Sequence, residues 1–273
     1  MKKLLIVLMF MFVLAGCSSE KTFNFENNKL VVGLEAAYAP FNWMETTKTD
    51  TNYPLDGMNA YVDGYDVQIA KMIADDLGLE LVIKMVSWKG LIPALKSGVI
   101  DLIIAGMSPT EERLASISFT NSYYESEHVV IVSKDGLYKD AKNLSDFENA
   151  KVIGQKNTIY DDLAGQIATA SNTTHQVPLD SVPKIINSIK TGVSDVTVVE
   201  KPVAYSIIKS NPDLKYITLE DGFNIDESDK IVSIGIRKVD KVLLEKVNDA
   251  LSRISNETRE QIMLSVLEIA PEE

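Results

Sequence analysis

The sequence has few of the residues from which disulfides, zinc sites and nucleic-acid interfaces are made. It contains one cysteine and two histidines in 273 residues. One cysteine cannot form a disulfide within the chain, and these three side chains make a poor zinc site. Basic residues are the minority charge, 27 against 39 acidic residues, for a net charge of −12. A surface of that sign repels phosphate backbones, so general nucleic-acid binding is disfavoured.

The N-terminal apolar run covers only residues 4–15 and is too short for a typical membrane-spanning helix. A helix needs roughly 20 apolar residues to cross a bilayer. Preceded by Lys2 and Lys3, the run predicts the core of a signal peptide over residues 1–16. It ends in Leu14-Ala15-Gly16-Cys17, which resembles the bacterial lipobox, whose cysteine is lipidated and becomes the mature N-terminus. The alternative is a coincidental buried cysteine in a plain signal peptide.

Residues 17–28 are predicted to be a lipidated tether, because the segment after Cys17 is polar with scattered phenylalanines. Stable anchoring needs more than one acyl chain, which the lipobox resemblance implies. We therefore expect the folded part to lie on the extracellular face of the cell membrane, or on its periplasmic face in a Gram-negative cell.

The mature chain predicts an α/β fold. Its 45% hydrophobic and 24% charged residues are typical of a globular protein, and strand and helix patterns alternate, which favours parallel pairing. We predict strands over residues 30–34, 79–86, 99–105, 128–133, 150–153, 196–199, 216–219 and 231–236. The predicted helices are one capped by Asp66 and ended by Gly78, one at 91–97 ended by Gly98, one from about Thr158, and those over 182–189, 241–254 and 257–269.

Two segments, 95–101 and 189–195, have the same pattern of helix end, glycine, acidic residue and apolar strand. Chance is one explanation, since such joints are common. The other is a pair of similar α/β lobes that present strand ends to a shared cleft. Ligands of open α/β sheets bind beyond the carboxyl ends of strands. That rule indicates residues 105–108 in the first copy and Glu200 in the second.

The first strand end is followed by Gly106, Met107 and Ser108, and then by Arg113 in a short helix. Gly106 lets the backbone approach a ligand, and Ser108 supplies a hydroxyl. A guanidinium holds a carboxylate by two parallel hydrogen bonds. The segment can therefore bind a small carboxylate. The alternative is a surface arginine that pairs with a nearby acid, Glu112 or Asp101.

The second strand end supplies Glu200, whose carboxylate can hold an ammonium group. The alternative is an ordinary helix-start acid, which the helix dipole stabilises. Gln155, Asn157 and Thr158 lie between a strand and a helix, where free N–H groups form an anion site. Thr158 can supply both an N–H and a hydroxyl, and Asn157 tolerates a left-handed backbone.

Aromatic residues follow two of the predicted strands. Tyr38 and Trp43 come after the first strand, just beyond Glu35, and Trp88 comes later. Aromatic faces can sandwich an aliphatic stem or a cation. Core packing is the alternative for any of these rings, and we expect it for Phe41.

Five blocks together resemble the family 3 solute-binding proteins of bacterial amino-acid ABC importers, which have the type II periplasmic-binding fold. The resemblance extends from about residue 30 to the C-terminus. The blocks are Glu35-Ala36-Ala37-Tyr38-Ala39-Pro40-Phe41, Gly64-Tyr65-Asp66-Val67, Leu91-Ile92-Pro93-Ala94-Leu95-Lys96-Ser97-Gly98, residues 105–113, and Phe119-Thr120-Asn121-Ser122-Tyr123-Tyr124.

The resemblance implies two lobes, each a mostly parallel sheet flanked by helices, joined by two crossing hinge strands. Lobe 1 would comprise residues 29–126 and 221–273, and lobe 2 residues 127–220. It also implies a monomer that binds a polar, basic amino acid (arginine, lysine or histidine) and delivers it to a permease, with no cofactor and no catalysis. Alternatives are glutamine as the ligand, a fold-related dehydratase acting on a small carboxylate, and a receptor that serves adhesion or a separate signalling partner.

The resemblance further implies a role for each site residue. Arg113 would pair with the ligand α-carboxylate, helped by N–H groups of Ser108 and Thr158. The α-ammonium would be held by Glu200, the Gly106 carbonyl and the Ser108 hydroxyl. The ligand side chain would lie between two aromatic rings with a carboxylate at its far end, and further pocket positions complete the set: Tyr38, Trp88, Glu35, Trp43, Gln155.

Four departures from the family pattern bear on ligand identity. The acid at position 200 is most often aspartate, the position of Asn157 is usually glycine, and Ala105 replaces a serine common in binders of basic amino acids. Residues 44–63 form a longer connection than in most members, although it is similar to that of Gram-positive relatives.

Overall fold

The structure is a computed structural model that describes residues 22–271, so the predicted signal peptide and Cys17 lie outside the described residues. The strands are β1 (Lys29–Leu34), β2 (Ala37–Tyr38), β3 (Asn42–Glu45), β4 (Tyr53–Pro54), β5 (Tyr61–Asp63), β6 (Glu80–Met85), β7 (Leu102–Ile103), β8 (Ser118–Glu125), β9 (His128–Ser133), β10 (Lys151–Val152), β11 (Thr174–His175), β12 (Val196–Glu200), β13 (Leu214–Ile217) and β14 (Ile231–Ile236). The helices are α1 (Tyr65–Leu77), α2 (Leu91–Lys96), α3 (Glu111–Ser116), α4 (Ile159–Ala170), α5 (Val182–Lys190), α6 (Lys201–Ser210), α7 (Lys241–Ser252) and α8 (Asn256–Ile269).

Two five-stranded sheets define two lobes. The sheet of lobe 1 has the order β6-β1-β7-β14-β8, and that of lobe 2 has the order β11-β10-β12-β9-β13. Four strands of each sheet run in one direction, and the fifth, β14 or β9, is antiparallel to both of its neighbours. Each reversed strand is the first strand that the chain forms after crossing between the lobes. The predicted two-lobe α/β architecture is confirmed.

The repeated segment has the same structure in both lobes. Gly98 and Gly192 have φ angles of 72° and 71°, the left-handed region that glycine tolerates. Asp101 then accepts a hydrogen bond from the Val31 amide at 3.1 Å, and Asp195 accepts one from the Lys151 amide at 2.8 Å. Each acid therefore fixes a neighbouring parallel strand of its own sheet.

The predicted cap of α1 is wrong. The residue before the helix is Gly64, at φ 127°, and no side chain caps the first turn. A Cβ at Gly64 would lie 2.3 Å from the Phe41 carbonyl oxygen, so the tight approach requires glycine. Asp66 instead lies in the first turn with no exposed surface. The other end of the helix is as predicted, with Gly78 in the left-handed conformation.

The long connection at residues 44–63 belongs to a small sheet of order β2-β3-β5-β4. The Tyr53 hydroxyl donates to the Leu81 carbonyl at 2.8 Å, and the Asp56 amide donates to the Ile83 carbonyl at 2.8 Å. Both acceptors belong to β6, the edge strand of the lobe 1 sheet. The connection therefore covers an edge that would otherwise be open to pairing with other chains.

The described part of the predicted tether packs on lobe 1. Its Phe25–Asn27 segment is a single 3₁₀ turn. The Phe23 amide donates to Asp240 at 2.7 Å, and the Lys246 ammonium lies 5.5 Å from the centre of the Phe25 ring. Among the helices within residues 22–271, none combines the length and apolar character that crossing a bilayer requires.

Candidate ligand-binding site

One loop of lobe 2, residues 155–157, contacts three side chains of lobe 1. The Trp88 indole N–H donates to the Asn157 carbonyl at 2.9 Å, and Nη2 of Arg113 donates to the same oxygen at 3.1 Å. The Gln155 amide nitrogen lies 3.3 Å from Oε2 of Glu35. The structure thus brings five predicted site residues together across the cleft.

The backbone conformation of this loop depends on Asn157, whose φ is 61°. Asparagine adopts the left-handed region more readily than most residues, which explains how the loop forms without a glycine at this position. Thr158 follows as the N-cap of α4. Its hydroxyl oxygen accepts from the Tyr160 amide at 3.2 Å and donates to the Gln155 carbonyl at 2.7 Å. The hydroxyl is therefore committed to the loop itself.

Arg113 lies in α3, which begins after Thr110, and the Thr110 side chain accepts a hydrogen bond from the Arg113 amide. Nη1 of Arg113 donates to the Ser108 carbonyl at 2.8 Å, and its guanidinium carbon lies 5.2 Å from the centre of the Trp88 ring. This geometry permits a cation–π interaction. Burial lowers the pKa of Arg113, but an arginine keeps its charge in proteins.

Neither of the two acids considered as alternative partners, Asp101 and Glu112, forms an ion pair with Arg113 within residues 22–271. Asp101 pairs with Arg237, whose Nη2 lies 3.0 Å from the Asp101 carboxylate. The half-buried Arg113 guanidinium is instead hydrogen-bonded to two backbone carbonyls, one from each lobe. Arg113 is therefore not a surface arginine held in an ion pair.

The strand end beside Arg113 is tightly fitted. Gly106 has φ 60°, and a Cβ there would lie 3.2 Å from the Tyr38 ring. The Met107 carbonyl accepts from the Ser233 amide of β14 at 2.9 Å, which secures the turn to the sheet. Ser108 is buried, and its hydroxyl lies 3.5 Å from the Asp229 carbonyl. This turn can bring a backbone carbonyl and a hydroxyl close to a bound solute.

Glu200 lies at the end of β12 in lobe 2, with 2% of its surface exposed. Although it occupies the N-cap position of α6, its side chain makes no capping hydrogen bond. Its Oε2 atom has no hydrogen-bond partner among residues 22–271. Burial raises the pKa of this carboxyl to about 8. A buried acid that caps no helix and has one free carboxyl oxygen is suited to hold an ammonium group.

Glu35 lies at another end of the cleft, half-buried after β1. Burial raises its pKa to about 7, Gln155 acts in the opposite direction by hydrogen bonding, and Asp180 raises it further. A cavity of about 390 Å³ opens beside Glu35, lined also by Trp88, Asp180 and Lys184.

The three predicted aromatic site residues lie in three different surroundings. The Tyr38 ring is buried, stacks on Phe41 at 5.6 Å, and has a hydroxyl without a partner in the described part of the chain. Trp88 lies at the contact between the lobes. Trp43 is buried in the small sheet, where its indole N–H donates to Glu45 at 2.8 Å. The structure therefore does not group Trp43 with Trp88 and Arg113.

Some residues near the site were missed by the sequence analysis. The buried Tyr160 phenol lies near the Arg113 guanidinium, and His128, directly opposite Glu200 in the sheet, packs against the Tyr160 ring at 5.8 Å. Burial lowers the pKa of His128 to about 4. The other histidine, His175, lies 2.8 Å from Asp161. Only the orientation of α4 brings Tyr160 to the site, and no sequence motif signals it.

Comparison with known proteins gives one family. The family model for bacterial extracellular solute-binding proteins, family 3, matches residues 30–265. The arginine-binding extracellular protein ArtP of Bacillus subtilis is 28% identical over 260 residues, which cover 94% of each chain. A probable histidine-binding protein of Campylobacter jejuni is 30% identical over 223 residues, covering 78% of this chain and 80% of that protein.

A solved structure agrees in fold. The amino acid ABC transporter substrate-binding protein AbpA from Streptococcus pneumoniae, bound to L-arginine, matches with a TM-score of 0.76 at 27% identity. The match covers 91% of this chain and 98% of AbpA. The chain therefore belongs to the bacterial extracellular solute-binding proteins of family 3.

Proposed function

We propose that this protein captures a free amino acid outside the cell membrane and delivers it to the permease of an ABC importer, without a chemical step. The observation that carries the proposal is a pair of complementary groups, a guanidinium from one lobe and a buried carboxyl from the other. Lobe 1 supplies the Arg113 guanidinium, which reaches Asn157 of lobe 2, and lobe 2 supplies Glu200, whose Oε2 atom has no hydrogen-bond partner among the described residues. An amino acid is a zwitterion whose two ends complement these groups.

We expect the lobes to close on the ligand because of the same two groups, Arg113 and Glu200. A charged group is costly to bury without a partner, so ligand binding should favour the conformation in which both groups are enclosed. We propose that the lobes comprise residues 29–126 with 221–273 and residues 127–220, because the sheets change at these crossings. The protein would act as a monomer that presents both lobe surfaces to the permease.

The ligand that we propose is a basic amino acid. Glu35 is half-buried and cannot turn away from the cleft without losing its contact with Gln155. Three lysines also line the adjoining cavity, but all three are exposed and can extend into solvent: Lys89, Lys156, Lys184. The names of ArtP and of the Campylobacter jejuni protein, which refer to arginine and histidine, support the same class.

Glutamine is the second ligand that a specific contact favours. The Gln155 side-chain amide donates to the Glu35 carboxylate at 3.3 Å, so this carboxylate can accept from an amide as well as from a cation. The Ala105 position, where binders of basic amino acids commonly have serine, also leaves glutamine open.

A thermal-shift screen of the twenty amino acids, followed by calorimetry, tests the proposal. We expect arginine, lysine or histidine to raise the unfolding temperature according to the mass-action relation between ligand concentration and Kd. We also expect Glu35→Gln to weaken a basic ligand more than it weakens glutamine. A protein that is stabilised by none of the twenty would contradict the function itself.

A dehydratase acting on a small carboxylate is the alternative in another class. The raised pKa of Glu200 means that a protonated carboxylic acid is present in the cleft near neutral pH, and such a group can act as a general acid. Turnover of small cyclic carboxylic acids by the purified protein would favour this alternative. Stabilisation by a free amino acid without turnover would favour transport.

We further propose that Cys17 carries the lipid anchor. Cys17→Ser should abolish incorporation of a labelled fatty acid, because the lipobox thiol is the acceptor. The measurement is metabolic labelling together with mass spectrometry of the N-terminal peptide. Ser18→Ala, one residue away, is the matched control and should keep the label. Labelled Cys17→Ser protein would refute the anchor without affecting the ligand proposal.

A further inference from the structure

The most deeply buried acid of lobe 1, Asp66, is held by two uncharged side chains. The Tyr123 hydroxyl donates to Oδ1 of Asp66 at 2.6 Å, and the Asn42 side-chain amide donates to Oδ2 at 2.7 Å. All three residues are buried. A buried carboxylate is normally paired with a cation or used by the fold, so these two neutral donors need an explanation.

Each of the two donor side chains also accepts a hydrogen bond from a backbone amide on the side of the cleft. The Tyr123 hydroxyl oxygen accepts from the Gly106 amide at 3.0 Å, and the Asn42 carbonyl oxygen accepts from the Ala36 amide at 2.7 Å. Asp66 therefore connects, through one intermediate on each side, the backbone of the two strand ends that carry candidate ligand contacts.

The two backbone positions at the ends of these branches have left-handed conformations. Gly106 has φ 60° and Ala36 has φ 57°. An alanine in this region is strained and stays there only when surrounding interactions hold it. Ala36 directly follows Glu35, and Gly106 directly precedes Met107 and Ser108. A shift at either position would move the groups that face the ligand.

We propose that Asp66 is a positioning residue, which acts through Tyr123 and Asn42 to fix the Gly106 and Glu35 segments for ligand binding. This inference rests on the proposed amino-acid-binding function. Asp66 accepts a hydrogen bond from each of the two side chains and thereby orients them. Each side chain then presents its oxygen atom to a backbone amide. Burial raises the pKa of Asp66 to about 7, and hydrogen bonding by Tyr123, Asn42 and the Gly106 backbone acts in the opposite direction, which is consistent with a carboxylate kept as an acceptor despite its desolvation.

The test compares Tyr123→Phe with Tyr65→Phe. The two rings stack at 5.9 Å, both are buried, and each hydroxyl donates one hydrogen bond. The Tyr65 hydroxyl donates to the Tyr123 backbone carbonyl at 2.8 Å and takes no part in the connection to Gly106. The control thus removes the same atom from the same stack.

We expect Tyr123→Phe to weaken amino-acid binding roughly five- to tenfold, as the loss of a buried hydrogen bond allows, and Tyr65→Phe to change it less than about twofold. Calorimetry measures the affinity. Hydrogen exchange should show faster exchange of the Gly106 amide in Tyr123→Phe only, a readout that a general loss of stability would not restrict to one residue.

Equal effects of the two variants on affinity, or unchanged Gly106 exchange in Tyr123→Phe, would overturn the positioning role. If Tyr123→Phe does not fold, Asn42→Leu tests the other branch, with weaker binding and faster exchange of the Ala36 amide expected. Unchanged values would overturn the role there as well. Failure of the wild-type protein to bind any amino acid would instead identify an error in the proposed function.

Discussion

Arg113→Ala should weaken amino-acid binding by at least about 2–3 kcal/mol, or roughly 30- to 140-fold in Kd. The size follows from the removal of a charged partner from an enclosed carboxylate, which leaves that carboxylate desolvated and unpaired. The guanidinium donates to the Ser108 and Asn157 carbonyls, and these two hydrogen bonds fix the orientation of its plane. Isothermal titration calorimetry with the best ligand from the screen gives the measurement.

Arg113→Lys should recover only part of the affinity. Lysine restores the positive charge but lacks the planar fork that forms two parallel bonds with a carboxylate. It also cannot reach both backbone carbonyls in the same geometry. An affinity equal to that of the wild type in Arg113→Lys would show that charge alone is enough, and that the guanidinium geometry has no role.

The matched control is Arg259→Ala. Arg259 also donates to two backbone carbonyls, those of Ser122 and Leu251, at 3.0 and 2.8 Å. It lies in α8, outside the contacts between Arg113 and the 155–157 loop. We expect Arg259→Ala to lower the unfolding temperature and to leave Kd nearly unchanged. If both variants lose affinity alike, Arg113 acts through stability and not through the ligand.

Local patterns predict much of this fold because each acts over a few residues. Apolar runs predicted β9 and β14 to the residue, and stop glycines marked the ends of α1 and α2. The strand predicted over 99–105 is observed only at Leu102–Ile103. Val99 is 52% exposed, whereas Ile100, Ile104 and Ala105 are buried although they lie outside the observed strand. Hydrophobicity records burial, whereas a strand also needs a neighbour in register.

Prediction of the site from local sequence patterns is limited in the same way. Strand-end reasoning predicts Gly106, Ser108 and Glu200 as ligand contacts, since ligands of open α/β sheets bind beyond the carboxyl ends of strands. It could not place Trp43, because an aromatic residue just after a strand is compatible with a pocket or a core. It also assigned Asp66 to a helix cap, a local role, whereas its actual partners lie 24 and 57 residues away in sequence. Contacts at such separations depend on tertiary packing.

The binding equilibrium should release protons near neutral pH. Burial raises the pKa of Glu200 from 4.5 to about 8, so the unliganded protein holds a proton there at pH 7. An ammonium group next to Glu200 favours the ionised form, and the proton must leave on binding. Affinity should therefore rise between about pH 6 and pH 8, and calorimetry in buffers of different ionisation enthalpy measures the release. Glu35, with a pKa of about 7, contributes in the same direction when the ligand side chain is cationic.

Glu200→Gln should change affinity and stability in opposite directions. Loss of a charged hydrogen bond should weaken binding by roughly tenfold or more at pH 8, and the part of the proton release due to Glu200 should vanish. For the unliganded wild type, a carboxyl whose folded pKa is raised has no effect on stability below about pH 4.5 and becomes destabilising as pH rises towards 8. The variant should therefore unfold at a higher temperature than the wild type at pH 8, with a smaller difference at pH 5.

The control for this variant is Glu127→Gln, which removes an exposed carboxylate from its ion pair with Lys201, the residue that follows Glu200. We expect little change in Kd, since an exposed pair contributes only about 0–1 kcal/mol to stability and lies outside the contacts assigned to the ligand. A Glu200→Gln protein that binds as tightly as the wild type would remove the ammonium-binding role from lobe 2. If Glu200→Gln binds weakly but is also less stable than the wild type at pH 8, Glu200 stabilises the fold. A buried charge without a partner could not do so, and this result would therefore contradict the ligand-binding role.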